Sequence, residues 1–305
     1  MANHSDLQYC ELTNHGIISV SGKDRKKFLQ GQVTCDMDKL SQTRALYGGY
    51  ANIQGRLIGI FYAIEKTENT LLSLPEPTIG ATINTLKKYA VFSKVSFDQP
   101  NLGTLAIFGE TALTQLEALF NIEISNIKTA TETADGLQII RTVSDKDSFL
   151  IIGESKKISA LKNMLTAITA EASQDEWQQF LISENICELN RHSIEKFLPS
   201  EINVAKLGGV AFNKGCFMGQ EIIARMHYLG KSKKSLKQVQ ISSENVPDII
   251  TTARIIDENN KLAGEIAAIC QTDKNQAVAL AIMLNSKLNT ASLAITDPSA
   301  TITVL

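Results

Sequence analysis

Residues 214 to 221 of the chain read Lys214-Gly215-Cys216-Phe217-Met218-Gly219-Gln220-Glu221. Two glycines four residues apart permit tight turns and a close approach of the backbone to a ligand. The apolar residues that follow, Ile222, Ile223 and Met226, recur at helical spacing. The pattern therefore predicts a turn around a thiol and an aromatic ring, followed by a helix that begins near Gly219.

The chemistry of this stretch centres on Cys216. The residue would lie just ahead of a helix N-terminus and two positions from Lys214, and both features favour a thiolate. Two interpretations stand: a reactive cysteine activated by Lys214, or a small buried side chain, since free cysteine is among the most buried residue types. Glu221 falls in the first helical turn, where the helix dipole favours negative charge, and at ion-pair spacing from Arg225.

Three segments together resemble the YgfZ proteins, the bacterial folate-binding relatives of the glycine-cleavage T-protein, an aminomethyltransferase. The first is Phe28 to Thr34, Phe-Leu-Gln-Gly-Gln-Val-Thr, and the second is Leu86 to Val95, Leu-Lys-Lys-Tyr-Ala-Val-Phe-Ser-Lys-Val. The third joins the Lys-Gly-Cys-Phe-x-Gly-Gln-Glu string to upstream pieces at 197–200 and 207–212. On these strings, in the right order over most of the chain, the protein is identified as a member of this family.

The resemblance implies both a fold and a function. The fold would be α+β, a T-protein-like region of two lobes around a cleft, followed by a small C-terminal β-barrel. The function would be binding of tetrahydrofolate or a folate derivative, in support of iron–sulfur enzymes that thiolate or methylthiolate tRNA. Two other interpretations compete: a T-protein-type aminomethyltransferase, and a non-enzymatic folate sensor or scaffold.

Candidate site residues follow from the residue chemistry and from the resemblance. The candidate catalytic residues are Cys216 and Lys214, although it stays open whether the protein turns over a substrate. A lone tryptophan such as Trp177 is usually a core anchor; against that, relatives place a tryptophan at this position, where the flat ring can stack on the pterin. They also place a second aromatic near His15, which offers less stacking surface. The other candidate folate-binding residues are Glu184, Arg225, Gln220, Glu221 and Tyr89.

Two departures from the family pattern bear on the chemistry. Relatives read Asp-Pro-Lys-Gly-Arg where this chain has Asn52 to Arg56, and an amide cannot act as a general base near neutral pH. Relatives read Ile-Glu-Ala-Gly-x-Pro at residues 182–187, whereas the acid comes one residue late here, as Glu184. A carboxylate accepts two hydrogen bonds from a pterin edge. Glu184 and Glu188 are both candidates for that role, and the alternative is a solvent-facing glutamate.

Composition limits the possible classes of protein. The 305 residues, 44% hydrophobic and 20% charged, are typical of a globular protein of two or three domains. The formal net charge of −2 means that any nucleic-acid contact must come from a local patch. Five scattered cysteines without a Cys-x-x-Cys pair argue against disulfides and zinc sites. With no secretory leader and no bilayer-length apolar run, we expect a cytoplasmic protein with no metal and no membrane partner.

The order of elements predicts two domains, 1–235 and 236–305. The first would hold a hairpin over residues 46–56, a helix that ends at about Tyr89 and a strand over residues 91–97. A strand–helix–strand–strand–helix order then predicts a ferredoxin-like lobe at about residues 100–170. Short strands after Ser235 suggest the barrel.

Two basic stretches leave their roles open. Lys87 and Lys88 beside Tyr89 would meet the glutamate tail of a folate, or form a solvated helix end. The run from Lys231 to Lys237 would draw in polyglutamyl folate or a tRNA backbone, or serve as a plain linker. Because no aromatic residues interleave with the second run, it gives no stacking surface for bases.

Overall fold

The computed structural model describes residues 7–124, 130–229, 233–244, 246, 249–290, 292–296 and 299–305. The helices in this part of the chain are α1 (Arg25–Gln30), α2 (Glu76–Tyr89), α3 (Ala112–Phe120), α4 (Ser155–Thr166), α5 (Gln174–Ser183) and α6 (Gln220–Leu229). The strands are β1 (Gln8–Glu11), β2 (His15–Ser21), β3 (Leu46–Ala51), β4 (Leu57–Glu65), β5 (Asn69–Pro75), β6 (Ser96–Asp98), β7 (Leu102–Phe108), β8 (Ala130–Glu132), β9 (Gln138–Arg141), β10 (Ser148–Glu154), β11 (Lys234–Ser242), β12 (Arg254–Asp257), β13 (Leu262–Asp273), β14 (Gln276–Leu284), β15 (Leu293–Thr296) and β16 (Ser299–Val304).

The first lobe is an antiparallel sheet in the order β3-β4-β5-β2-β6. Helix α2 packs across β2, β4 and β5, and it buries Ile79, Ile83 and Leu86. These residues are four and three positions apart, so they form a single apolar stripe. A proline in the first turn of α2 needs no partner for its nitrogen there. The predicted hairpin and the predicted helix that ends at Tyr89 are both confirmed.

The second lobe is an antiparallel sheet in the order β1-β7-β10-β9-β8, packed against α3 and α4. Taken with these helices, β7, β9 and β10 form the first three strands of a ferredoxin-like unit. Strand β1, from the beginning of the described chain, takes the place of the fourth. The predicted ferredoxin-like lobe is confirmed, and β1 is a member that the sequence pattern did not assign to it.

The C-terminal part is a closed antiparallel barrel in the order β11-β14-β13-β12-β15-β16, sealed by pairing of β11 with β16. Its interior is apolar and includes Val239, Ile255 and Ile266. The predicted small barrel is therefore confirmed. Lys234 to Lys237 pair with β14, so this part of the basic run is strand rather than linker. Residues 231 and 232 of that run lie outside the described part.

The predicted strand over residues 91–97 is wrong for most of its length. Only β6 is strand, and Val91 and Phe92 occupy a turn in which the Ser93 N–H donates to the Ala90 carbonyl at 2.9 Å. The apolar run suggested burial, but Phe92 is fully exposed at 101%. The hydrophobic pattern alone does not distinguish a buried strand from an exposed apolar turn.

One hydrophobic core joins both lobes and the barrel, and helix α5 lies within it. Ser173 and Glu176 close the N-terminus of α5 in a reciprocal capping box. The buried face of the helix carries Trp177, Phe180 and Leu181, and the helix contacts β1 of the second lobe and β13 and β14 of the barrel. No helix in the described residues combines the length and the apolar character needed to cross a membrane.

Candidate functional site

The N-terminal signature and the cysteine signature meet at Thr34. The Thr34 hydroxyl donates to the Gly209 carbonyl at 2.6 Å and accepts from the Gly49 N–H at 2.8 Å. The Ala211 N–H donates to the Thr34 carbonyl at 2.9 Å. Thr34 is fully buried. This single residue therefore fixes strand β3 and the segment that leads into the cysteine loop against each other.

Lys214 extends the same connection. Its Nζ donates to the backbone carbonyls of Val33 at 2.9 Å and Cys35 at 2.7 Å, and it lies 5.2 Å from the centre of the Phe217 ring. Burial lowers the pKa of Lys214 to about 8. The lysine therefore ties the cysteine loop to the residues on either side of Thr34, and its ammonium is directed to these carbonyls.

Cys216 is exposed, whereas Cys10, Cys35, Cys187 and Cys270 are buried. Of the two interpretations of Cys216, the buried hydrophobic one is wrong. The neighbouring Phe217 fills the buried position instead, at 7% exposure. The loop thus buries its aromatic ring as an anchor and presents its thiol to solvent.

Gly219 has a positive φ of 75° and lies against the β3–β4 turn. A Cβ at this position would come within 2.4 Å of the Asn52 carbonyl oxygen and 2.8 Å of the Gly55 Cα. Only glycine satisfies both constraints, the backbone conformation and the close approach. The hairpin that carries Asn52 is therefore in direct contact with the start of α6.

The Asn52 side chain organises this hairpin turn. Its Oδ1 accepts from the backbone N–H groups of Gln54 at 2.9 Å and Arg56 at 3.0 Å, and its Nδ2 donates to Glu195 Oε1 at 3.0 Å. Both ends of the amide are committed to local hydrogen bonds. The position that the family gives to an acid is structural in this chain.

The other candidate residues of this region lie on the surface. Glu221 and Arg225 are exposed on α6, and Gln220 is half-buried at the start of the helix. Tyr89, 45% exposed, lines an open groove of about 290 Å³ together with Asn52, Lys88 and Met218. We call this the hairpin groove. Met218 brings the cysteine loop to its edge.

A second group of candidates surrounds an enclosed cavity between the lobes, here called the central cavity. His15 Nε2 lies 3.1 Å from Glu188 Oε1, and the His15 side chain is 3% exposed. Trp177 lines the same cavity. A wider groove of about 230 Å³ opens beside it toward the barrel and shares Pro75, Trp177 and Glu188 with it.

The central cavity is lined by buried polar atoms that have no hydrogen-bond partner among the described residues. They are His15 Nδ1, Tyr47 Oη, Ser73 Oγ and Trp177 Nε1. Such groups are costly to bury unpaired, because each forfeits its hydrogen bonds to water. The cavity itself encloses about 20 Å³, room for a water molecule. A larger ligand must therefore lie in the wider groove and direct a polar edge inward.

Trp177 is held by its aromatic neighbours. Its ring stacks on Phe180 at 5.4 Å with an interplanar angle of 18° and meets Phe108 at 5.2 Å. Phe180 covers one face of the indole, and the side chain lines both the central cavity and the wider groove. Burial also raises the pKa of Tyr47, so its hydroxyl stays protonated as a donor.

Glu184 lies elsewhere. Its carboxylate accepts from Ser144 Oγ at 2.9 Å and from the Lys146 backbone N–H at 3.2 Å, and it pairs with Lys146 Nζ at 3.0 Å. Burial acts to raise the pKa of Glu184, but these hydrogen bonds outweigh it and the pKa is lowered. Next to it Asn185 adopts a left-handed φ of 56°, the conformation that the family's glycine supplies.

The structure thus gathers most of the candidates into two places and leaves Glu184 apart from both. His15, Trp177 and Glu188 share the central cavity, and the cysteine loop lies with the hairpin groove. Sequence reasoning missed Tyr47 and Ser73, because neither sits in a recognisable motif. The described residues contain no group of three or more His, Cys, Asp or Glu side chains arranged to hold a metal ion.

Comparisons with known proteins agree with this architecture. No family model matches the chain. It is 30% identical over 289 residues to the tRNA-modifying protein YgfZ of Colwellia psychrerythraea, covering 93% of this chain and 88% of that protein. It is 27% identical to the YgfZ protein of Vibrio atlanticus, covering 92% and 85%.

Among solved structures, the fold matches the glycine cleavage system aminomethyltransferase T of Bartonella henselae. The TM-score is 0.76 at 14% sequence identity, over 99% of this chain and 85% of that chain. This likeness concerns the fold and confirms the expected T-protein-like arrangement of two lobes and a barrel. The sequence relationship is more specific: the chain belongs to the YgfZ family.

Proposed function

We propose that this protein binds a reduced folate in the groove beside Trp177 and that, through the exposed Cys216, it supports the modification of tRNA. The observation that carries the folate proposal is the set of unpartnered polar atoms around the His15–Glu188 pair. Its relatives are named tRNA-modifying proteins, and the aminomethyltransferase fold provides the inter-lobe cavity.

The donor set of the central cavity fits a pterin. The 2-amino and N3–H edge of the ring presents two donors side by side, and the Glu188 carboxylate accepts such a pair. His15 holds this carboxylate in place at 3.1 Å. The Trp177 N–H remains for an acceptor on the ring, and Tyr47 and Ser73 would reach the ligand through a water molecule in the central cavity.

Tetrahydrofolate, when bound, supplies a carrier for one-carbon groups. The chain's own contribution is to exclude water around the pterin edge and to leave the other end of the ligand open to solvent. In this arrangement Glu188, not Glu184, is the pterin carboxylate, because Glu184 uses its oxygens on Ser144 and Lys146.

T-protein chemistry is disfavoured. The hairpin position that would carry a catalytic acid is Asn52, and both ends of its amide are bonded to the protein. Cys216 is the available nucleophile in this region, and Lys214 positions its loop through the carbonyls of Val33 and Cys35. We propose that this thiol acts on, or transiently holds a group for, iron–sulfur enzymes of tRNA modification in the cytoplasm.

Calorimetric titration with 5-formyltetrahydrofolate tests the folate proposal. We expect saturable binding by the wild type and a loss of about tenfold or more in affinity for Glu188→Gln, which removes a charge-assisted acceptor. The matched control, Glu184→Gln, should retain the wild-type affinity. Equal losses of affinity in both variants, or an unchanged affinity in Glu188→Gln, would refute this placement of the pterin.

The thiol proposal is tested separately in cells that lack the endogenous protein. Cys216→Ser should abolish restoration of thiolated or methylthiolated tRNA nucleosides, measured by mass spectrometry, while folate binding is retained. If Cys216→Ser restores these nucleosides as well as the wild type, the protein is a folate sensor or scaffold instead.

A further inference from the structure

The turn after α2 presents an exposed apolar tip on a fixed backbone. Phe92 is 101% exposed and Val91 is 74% exposed. The turn is held at one end by α2 and at the other by Asp24, whose carboxylate accepts from the Lys94 N–H at 2.8 Å. A Cβ on Gly22 would come within 2.1 Å of the Lys94 carbonyl oxygen, so the backbone segments at Gly22 and Lys94 lie in close contact. The ring is therefore displayed by a braced turn.

Three exposed lysines flank this tip in the sequence. Residues 87 to 94 read Lys-Lys-Tyr-Ala-Val-Phe-Ser-Lys, with three lysines and no acid. Lys87, Lys88 and Lys94 are all exposed. The Asp24 carboxylate at the base of the turn already accepts from the Lys94 backbone. The three lysines therefore favour a partner that carries negative charge, and the one acid that lines the adjoining hairpin groove, Glu195, is already bonded to the Asn52 amide.

The hairpin groove continues the surface on the side of Tyr89. It holds about 290 Å³ and is lined by apolar groups such as Ile53 and Met218 and by polar groups such as Thr85 and Glu195. That volume lies just below the range of small-ligand pockets, about 300–1,000 Å³, and suits one flat heterocycle with a few hydrogen bonds.

We propose that this surface, the 87–94 turn with the hairpin groove, binds unpaired RNA. Phe92 stacks on one base, Tyr89 borders the groove that receives another, and the three lysines contact phosphates. Exposed aromatic rings interleaved with lysines are the two elements that single-strand recognition requires. A protein partner would have to supply both acidic side chains for the three lysines and a pocket for the exposed Phe92 ring. Unpaired RNA supplies phosphates and flat bases together. The site lies beside the Cys216 loop and apart from the central cavity, so it stands whether or not folate binds.

Fluorescence anisotropy of the full chain with a short labelled single-stranded RNA tests the proposal. We expect Phe92→Ala to weaken binding by about 5- to 150-fold, the range for loss of one base–aromatic stack. Lys87→Gln and Lys88→Gln should each weaken binding and reduce the salt slope by about 0.7, the value for one phosphate contact on a single strand.

The controls are Met164→Ala and Lys156→Gln on α4, which remove an exposed apolar and an exposed basic side chain outside this surface. They should bind RNA like the wild type, and 5-formyltetrahydrofolate binding should be unchanged in Phe92→Ala and in both controls. The proposal is overturned if the RNA does not bind, if duplex RNA binds as tightly, or if Phe92→Ala behaves like its control. The first outcome would assign the exposed ring to a protein partner.

Discussion

His15 Nε2 lies 3.1 Å from Glu188 Oε1, although the two residues are 173 positions apart in the chain. The family has an aromatic residue near the position of His15 and its carboxylate at the position of Ser183. In this protein the buried His15 side chain pairs with Glu188, which is 22% exposed. We propose that Glu188 takes the place of the missing carboxylate and that the imidazole, which stands where the family has an aromatic ring, holds it in position.

A double-mutant cycle tests the coupling between His15 and Glu188. His15→Phe leaves the Glu188 carboxylate without its partner, and Glu188→Gln removes the charge. We expect a coupling free energy of about 0.5–3 kcal/mol in urea unfolding, with the double variant less destabilised than the sum of the single ones. Additive effects would show that the pair contributes no mutual stabilisation.

The two glycines of the cysteine loop should respond differently to alanine. Gly219→Ala places a Cβ against the Asn52 carbonyl and forces a non-glycine residue to a φ of 75°, so we expect a loss of more than about 2 kcal/mol. Gly215→Ala meets nothing within 4 Å and should cost less than about 0.5 kcal/mol. Denaturant unfolding measures both, and similar losses would contradict the tight contact between the loop and the hairpin.

Thiol labelling of the native protein should show rapid reaction at one of the five cysteines. Cys216 is exposed, whereas burial raises the pKa of Cys10 to about 11 and of Cys187 and Cys270 to about 12, and Cys35 is buried. Ellman's reagent should therefore react rapidly with a single equivalent in the native protein and with the rest only after denaturation. Cys216→Ser should remove the rapid phase, and a persisting rapid phase would mean that a buried thiol becomes accessible.

The pH dependence of stability should carry a contribution from Lys214. Its pKa falls from 10.5 to about 8 on folding, so between these values the unfolded state binds more protons. The unfolding free energy should therefore rise as pH increases through this window. In Lys214→Met that rise should be smaller, as measured by urea unfolding at several pH values. Identical pH profiles would mean that the lysine is solvated rather than buried against the Val33 and Cys35 carbonyls.

Local features were predictable from the sequence, and long-range pairings were not. The start of α6 near Gly219, the end of α2 at Tyr89 and the hairpin follow from spacing and turn residues within short windows. Glu188 pairs with His15 in β2, and no local pattern encodes that contact. The apolar run at Val91 predicts a strand, but the structure has an exposed turn there. An apolar run indicates hydrophobicity, not whether other parts of the chain cover these residues.

The most direct test of the folate site is the fluorescence of Trp177, the sole tryptophan, during titration with 5-formyltetrahydrofolate. We predict a saturable change in emission whose midpoint matches the calorimetric affinity and which shifts to higher concentration in Glu188→Gln. A constant signal, together with no heat of binding in the calorimeter, would contradict the assignment of the central cavity and its groove to folate.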